Sequence, residues 1–209
     1  MLKENKIISV LTIEDSSKAL DLAKCLYDSG IKNLDIRLRT QESKKSIEKI
    51  VKSNLKFNIG VGTVLNDDDL NFVKSMNIKY AFSPHTDKDV IIKSNNYNIE
   101  FIPGVSNSSD IEIALSNGCK FLKYFSAEKL GGIEYLNSIS SKFKDLNIIA
   151  MGGIQNQNIK PYLNHKNIIG VGTSWIANEK LILDSDWKEI SKRANELLKL
   201  NCLHHLLTK

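Results

Sequence analysis

Cysteine is scarce in this chain: Cys25, Cys119 and Cys202 are the three in 209 residues. They are odd in number, widely spaced and form no CxxC pair, which excludes a secreted disulfide framework and leaves no zinc-binding pattern. Reduced thiols in a cytoplasmic protein are the expectation. Proline is equally rare, with three residues and none in an interdomain position. Without a linker or a low-complexity segment, one domain over residues 1–209 is expected. No apolar run approaches the roughly 18 residues of a membrane span. The opening Met-Leu-Lys-Glu-Asn-Lys lacks the apolar stretch of a signal peptide. Neither sign of charge dominates, with 29 Lys and Arg against 24 Asp and Glu, a net charge of +5. The lysines alternate with acids, so no clustered basic face marks a nucleic-acid binder. A mild attraction for anionic metabolites is the better inference.

What is present is a regular alternation. Short β-branched runs are followed by amphipathic helical stretches. Strands are expected at Ile7–Ile13, Leu34–Leu38, Phe57–Leu65, Tyr80–Ser83, Glu100–Val105, Phe121–Phe125, Ile148–Met151 and Ile168–Gly172. Helices fall between them, near Ser16–Ser29, Ser43–Lys52, Asn66–Met76, Lys88–Ser94, Ser109–Gly118, Ile133–Phe143 and Asn158–Leu163, and a last one runs from about Asp186 to Leu200. Alternating strands and helices imply a parallel sheet with right-handed crossovers. Eight such units point to a closed α/β structure, a single (β/α)8 TIM barrel. A doubly wound open sheet is the runner-up, but no GxGxxG follows the first strand.

Barrel active sites lie at the C-terminal ends of the strands. Side chains alternate across a strand, so Asp35, Arg37 and Arg39 share one face while Ile36 and Leu38 take the other. Three charges pointing into a barrel mouth need partners or a ligand; a surface ladder of ion pairs is the alternative. Gly60 and Gly62, late in the third strand, permit close approach of a ligand or backbone, and Thr63 adds a hydroxyl at the rim. Lys123 sits inside the apolar run Phe121-Leu122-Lys123-Tyr124-Phe125. Burial there should lower its pKa, and a neutral amine can attack a ketone to form a Schiff base; a snorkelling surface lysine is the bland alternative. Gly152-Gly153 and Gly172-Thr173-Ser174 end the last two strands, where barrels commonly hold phosphate and where a following helix start would add a favourable dipole. Tight turns alone would also account for those glycines. Of the histidines, only His85 follows a strand, and the pair His204-His205 has no acidic or cysteine companions. No metal site is therefore expected.

These residues, in this order and spacing, resemble the bacterial 2-keto-3-deoxy-6-phosphogluconate (KDPG) and 4-hydroxy-2-oxoglutarate (KHG) aldolase family. The stretches that carry the resemblance are LDIRLRT at 34–40, VGTVLN at 61–66, FSPH at 82–85, IPGV at 102–105, LKYFSAE at 122–128, MGGI at 151–154 and GVGTSW at 170–175. The resemblance runs from about Lys6 to Trp175. It implies a metal-independent, cofactor-free class I aldolase of carbohydrate metabolism, of the Entner–Doudoroff type, usually a homotrimer. By position Lys123 would be the Schiff-base lysine and Asp35 the acid/base group. Arg39 and Thr63 would hold the pyruvyl carboxylate, with Phe125 and Pro84 lining the site. Gly152, Gly153, Gly172 and Ser174 would take the distal phosphate.

The chain also departs from the family pattern. Asp35 stands where the family usually has glutamate, shorter by one methylene. Arg37 replaces a threonine or similar small residue; it would either pair with Asp35 and lower its pKa or bind an additional anionic group. Ala150-Met151 replaces the common Pro-Thr, and Ser126 replaces a proline. Three readings follow. The chain is a Schiff-base aldolase for a 2-keto-4-hydroxy acid, a related lyase with specificity shifted by Asp35 and Arg37, or a non-catalytic protein that binds a keto acid or sugar phosphate. A barrel of the thiamin phosphate synthase type lacks its motifs here. The partner in every case is a small molecule, not a membrane or a nucleic acid.

Overall fold

The computed structural model describes the backbone of residues 2, 5–143 and 145–207 and the side chains as far as residue 200. Cys202, His204 and His205 lie outside the described side chains. The strands are β1 (Ile7–Leu11), β2 (Asn33–Arg37), β3 (Asn58–Gly62), β4 (Tyr80–Phe82), β5 (Glu100–Ile102), β6 (Gly104–Val105), β7 (Leu122–Tyr124), β8 (Ile148–Met151) and β9 (Ile168–Thr173). Between them run α1 (Ala19–Asp28), α2 (Ser43–Lys52), α3 (Asp67–Ser75), α4 (Lys88–Asn96), α5 (Ser108–Ser116), α6 (Gly132–Ser140), α7 (Ile159–Asn164), α8 (Glu179–Leu183) and α9 (Trp187–Leu207). All strand pairs are parallel, in the order β5-β4-β3-β2-β1-β9-β8-β7-β6.

The ends of that order, β5 and β6, are one strand interrupted at Pro103. β5 pairs with β4 and β6 pairs with β7, so chain continuity through Pro103 closes the ring into a (β/α)8 barrel. Proline has no N–H to give a ladder, but its carbonyl still accepts from Lys123 N at 2.9 Å. Nine strand segments thus replace the eight expected from the sequence, without changing the topology.

Local chemistry sets the helix boundaries. Asn66, Asp87, Asn107 and Asn178 cap α3, α4, α5 and α8 through side-chain oxygens that accept backbone N–H groups two or three residues on. The cap of α5 is Asn107, two residues before the expected Ser109. Asn77, Asn98 and Gly118 take left-handed backbone just beyond α3, α4 and α5 and end them. The short α8 follows β9 with no counterpart in the expected pattern, and α9 extends seven residues past the expected Leu200.

Two apolar layers result. One lies between strands and helices, built from residues such as Ile7, Leu34, Ile36, Val61, Leu122 and Ile148. The other fills the barrel interior with Ile8, Val10, Phe82, Ile102, Ile149 and Met151. Interior residues toward the C-terminal end of the strands break that pattern: Asp35 is 0% exposed and Lys123 3% exposed. Among the described residues no helix is long and apolar enough to cross a membrane.

Closure depends on the loop after β4 packing onto β6. A methyl group added at Gly104 would meet the Pro84 carbonyl group and lie 2.7 Å from His85 N. Both are backbone and cannot rotate away. Gly104→Ala is therefore expected to cost about 1–3 kcal/mol, read as a lowered urea midpoint with unchanged slope; an unchanged midpoint would mean that this contact is not needed for closure.

Candidate active site

The site begins with β2 and β7, which face each other across the barrel. Asp35 is directed inward, and β3 answers it with a glycine. A methyl group on Gly62 would lie 3.0 Å from the Asp35 carboxyl carbon and 3.1 Å from Oδ2. Gly62 therefore leaves the room that the carboxyl fills. Neither Asp35 oxygen has a hydrogen-bond partner among the described residues. Burial raises the Asp35 pKa, against the opposing pull of Lys123, Arg37 and Arg39. Of the two readings the sequence left open for Arg37, pairing with Asp35 and lowering its pKa does not hold: among the described residues no such ion pair forms, and desolvation outweighs the nearby cations.

Lys123 is held by β7 between β6 and β8, in register with Gly104 and Ile149. Its ammonium nitrogen lies 4.4 Å from the centre of the Phe125 ring. Burial chiefly lowers the amine to about 8; Arg37 and Arg39 push the same way and Asp35 opposes them. The snorkelling alternative does not hold, because the side chain stays inside the barrel. Lys123 and Asp35 are an interacting acid and base in one desolvated space, an arrangement suited to proton transfer and nucleophilic attack.

Arg39 and Thr63 come together at the rim. Arg39 Nε donates to Thr63 Oγ1 at 3.1 Å. Thr63 has φ 61°, an uncommon backbone for a β-branched residue. Strain of this kind persists where the surroundings impose it, and active sites are common places for it. The Arg39 loop is tied down by Ser43 Oγ, which accepts from Arg39 N at 3.3 Å and from Thr40 N at 3.0 Å. Pro84 lies just beyond β4, with its backbone against Gly104.

The glycine pairs form the opposite side of the mouth. Gly152 and Gly153 have φ of 99° and 78°, conformations that favour glycine. They, Gly172 and Ser174 line a cavity of about 310 Å³. Arg37 lines the same cavity, although β1 separates its strand from β9. Thr173 Oγ1 donates to Ile154 O at 2.6 Å, fixing one loop to the other. The helices that follow, α7 and α8, are six and five residues long. The cavity therefore relies on loop backbone and side chains rather than on a long helix dipole.

Trp175 and Asn178 have no role assigned from the sequence, and Met151 stands out there only as a departure from the family pattern. Trp175 and Asn178 line the cavity, and Met151 turns its side chain into the barrel against Gly172. The alternation Ala150-out, Met151-in was the signal for the latter. Among the described residues no group of three or more His, Cys, Asp or Glu side chains could hold a metal.

The chain is similar to known proteins over most of its length. The sequence profile of the KDPG and KHG aldolase family matches residues 1–193. The chain belongs to that family. It is 30% identical to 2-dehydro-3-deoxy-phosphogluconate aldolase of Haemophilus influenzae over 94% of this chain and 93% of that one. It is 29% identical to the KHG/KDPG aldolase of Escherichia coli K12 over 94% and 92%. The KDPG aldolase of Legionella pneumophila, solved with pyruvate captured at low pH as a covalent carbinolamine intermediate, superposes with a TM-score of 0.88, at 31% identity and with 91% and 93% of the two chains covered. The family is one of aldehyde-lyases, and its fold is the barrel described above.

The electrostatics predict a distinct titration. Competitive acylation across pH should give Lys123 a midpoint near 8, against roughly 10.4 for surface lysines, with reactivity rising as pH rises and the amine loses its proton. Asp35→Asn removes the charge that favours the protonated amine, so the midpoint should move lower still. A midpoint in the surface range would contradict the buried-amine description.

Proposed function

We propose that this protein is a class I aldolase that cleaves a 2-keto-4-hydroxy acid of the KDPG type to pyruvate and an aldehyde, glyceraldehyde 3-phosphate when the substrate is KDPG. The observation that carries the reading is the buried Lys123 amine, lowered to about 8 beside a buried carboxyl. Membership of the aldolase family supports it.

In this mechanism the neutral Lys123 amine adds to the C2 carbonyl carbon. The carbonyl oxygen takes a proton to give a carbinolamine, and loss of water leaves a protonated imine. Asp35, directly or through a water molecule, takes the C4 hydroxyl proton. The C4–O electrons form the aldehyde carbonyl, the C3–C4 bond breaks, and its electrons pass into the imine to give an enamine. Protonation at C3 and hydrolysis then release pyruvate and restore the amine. Arg39 and Thr63 hold the substrate carboxylate, and Pro84 and Phe125 enclose the pyruvyl carbons. Gly152, Gly153, Gly172 and Ser174 hold the distal phosphate. Asp35 is one methylene shorter than the family's usual glutamate, and its oxygens have no hydrogen-bond partner among the described residues. That combination favours a water between the carboxylate and the substrate. The chemistry needs no cofactor or metal.

We place the enzyme in the cytoplasm as a homo-oligomer, a trimer by family resemblance. Cys25 and Cys119 as free thiols are compatible with that compartment.

Cleavage of KDPG followed by pyruvate release tests the assignment. Lys123→Ala should reduce turnover to background. Asp35→Asn should lower kcat roughly 100- to 10,000-fold, the range for loss of a general acid/base. In the wild type kcat/KM should rise with pH through about 8 as the amine deprotonates. Undiminished turnover in Lys123→Ala would dismiss the Schiff-base reading, and undiminished turnover in Asp35→Asn would remove the carboxylate from the role of base.

A further inference from the structure

Arg37 is a charged side chain of the mouth that the mechanism leaves unused. Its position, two residues beyond Asp35 on the inward face of β2, puts it between the reacting groups and the glycine-lined cavity. It lines that cavity together with Gly152, Gly153, Gly172 and Ser174. Among the described residues no hydrogen bond or ion pair engages the guanidinium; Asp35 and Glu179 act on it only through space, and Arg39 repels it. A guanidinium has five N–H donors in a fixed fork and keeps its charge at any working pH. Partly buried and without a hydrogen-bonding partner, it is costly to the fold on its own account. A tetrahedral phosphate presents the acceptor geometry that such a fork fits in bidentate fashion.

The charge balance of the mouth points the same way. Lys123, Arg37 and Arg39 face one interior carboxyl, Asp35. A substrate carboxylate answers Arg39 at the Thr63 side. The positive charge at the other end, that of Arg37, remains for an anion in the glycine-lined cavity. The short helices beside that cavity supply little dipole, which leaves the arginine as its only cationic side chain among the lining residues.

We infer that Arg37 is the specificity-determining residue of the distal subsite, a guanidinium clamp that selects substrates ending in a phosphate monoester over those ending in a neutral hydroxyl. The inference rests on the aldolase reading for its substrate and on the cavity geometry for its residue. Because a distal phosphate is far from the bond that breaks, the clamp acts on binding more than on the chemical step, and its loss appears mainly in KM.

The test compares KDPG with its unphosphorylated counterpart, 2-keto-3-deoxygluconate, in the wild type, Arg37→Thr and Arg37→Lys. Arg37→Thr should shrink the ratio of kcat/KM values roughly 10- to 100-fold, as loss of a charge-assisted hydrogen-bonded pair implies, with the change in KM for KDPG. Arg37→Lys keeps the charge without the fork and should fall between. A purely structural role would lower stability and act on both substrates alike, so an unchanged ratio overturns the inference. Calorimetric titration with inorganic phosphate reads the subsite without turnover: Arg37→Thr should weaken phosphate binding by a similar factor. No phosphate binding to the wild type, or equal binding to both proteins, also overturns it. A wild type that binds phosphate through Arg37 but cleaves neither sugar acid would instead sink the aldolase reading while sustaining the clamp.

Discussion

A lysine and an aspartate share a space inside the barrel from which bulk water is nearly excluded, and much of the site depends on that burial. Moving either charge out of water is unfavourable. The protein does not remove this cost with a close ion pair. Among the described residues neither Asp35 oxygen has a hydrogen-bond partner, and Lys123 rests against the face of Phe125. Each group is consequently pushed toward its neutral form, the amine downward and the carboxyl upward. A nucleophilic amine and a proton acceptor that can also return a proton are the consequence. The same burial in a protein without chemistry to perform would be a defect.

The fold makes the burial possible by dividing the barrel interior along its axis. Apolar residues such as Ile8, Val10, Phe82 and Ile149 form a floor. Above it Gly62 of β3 leaves room for the Asp35 carboxyl, and the break at Pro103 lets the fifth strand pair with β4 on one side and β7 on the other. The Arg39–Thr63 pair and the glycine-lined cavity near Arg37 then lie at opposite sides of one mouth.

Much of this was legible in the sequence. Asp35, Arg37 and Arg39 had to share a face because strand side chains alternate, and a lysine within Phe-Leu-Lys-Tyr-Phe had to be buried or bent away. The eight-unit alternation fixed the barrel, and the glycine pairs marked the ends of its last strands. What was not legible depends on three-dimensional packing. That Gly62 faces the Asp35 carboxyl requires the register of β2 on β3. Whether Arg37 pairs with Asp35 or turns to the cavity depends on side-chain direction across β1, which no spacing encodes. A downward shift of Asp35, which belonged to one of the two readings open for Arg37, failed for the same reason, since counting nearby cations does not measure desolvation. Asn107 displaced Ser109 as a helix cap because both are good capping residues and the backbone chose between them.

The aldolase reading makes Lys123 the nucleophile that joins the protein to a keto acid. Incubation with pyruvate and borohydride, followed by intact-mass and peptide mapping, reads that bond. One reduced pyruvyl adduct per chain is expected, located on the peptide containing Lys123. An adduct on another lysine, or none on folded protein while a known KDPG aldolase is trapped in parallel, would contradict that reading.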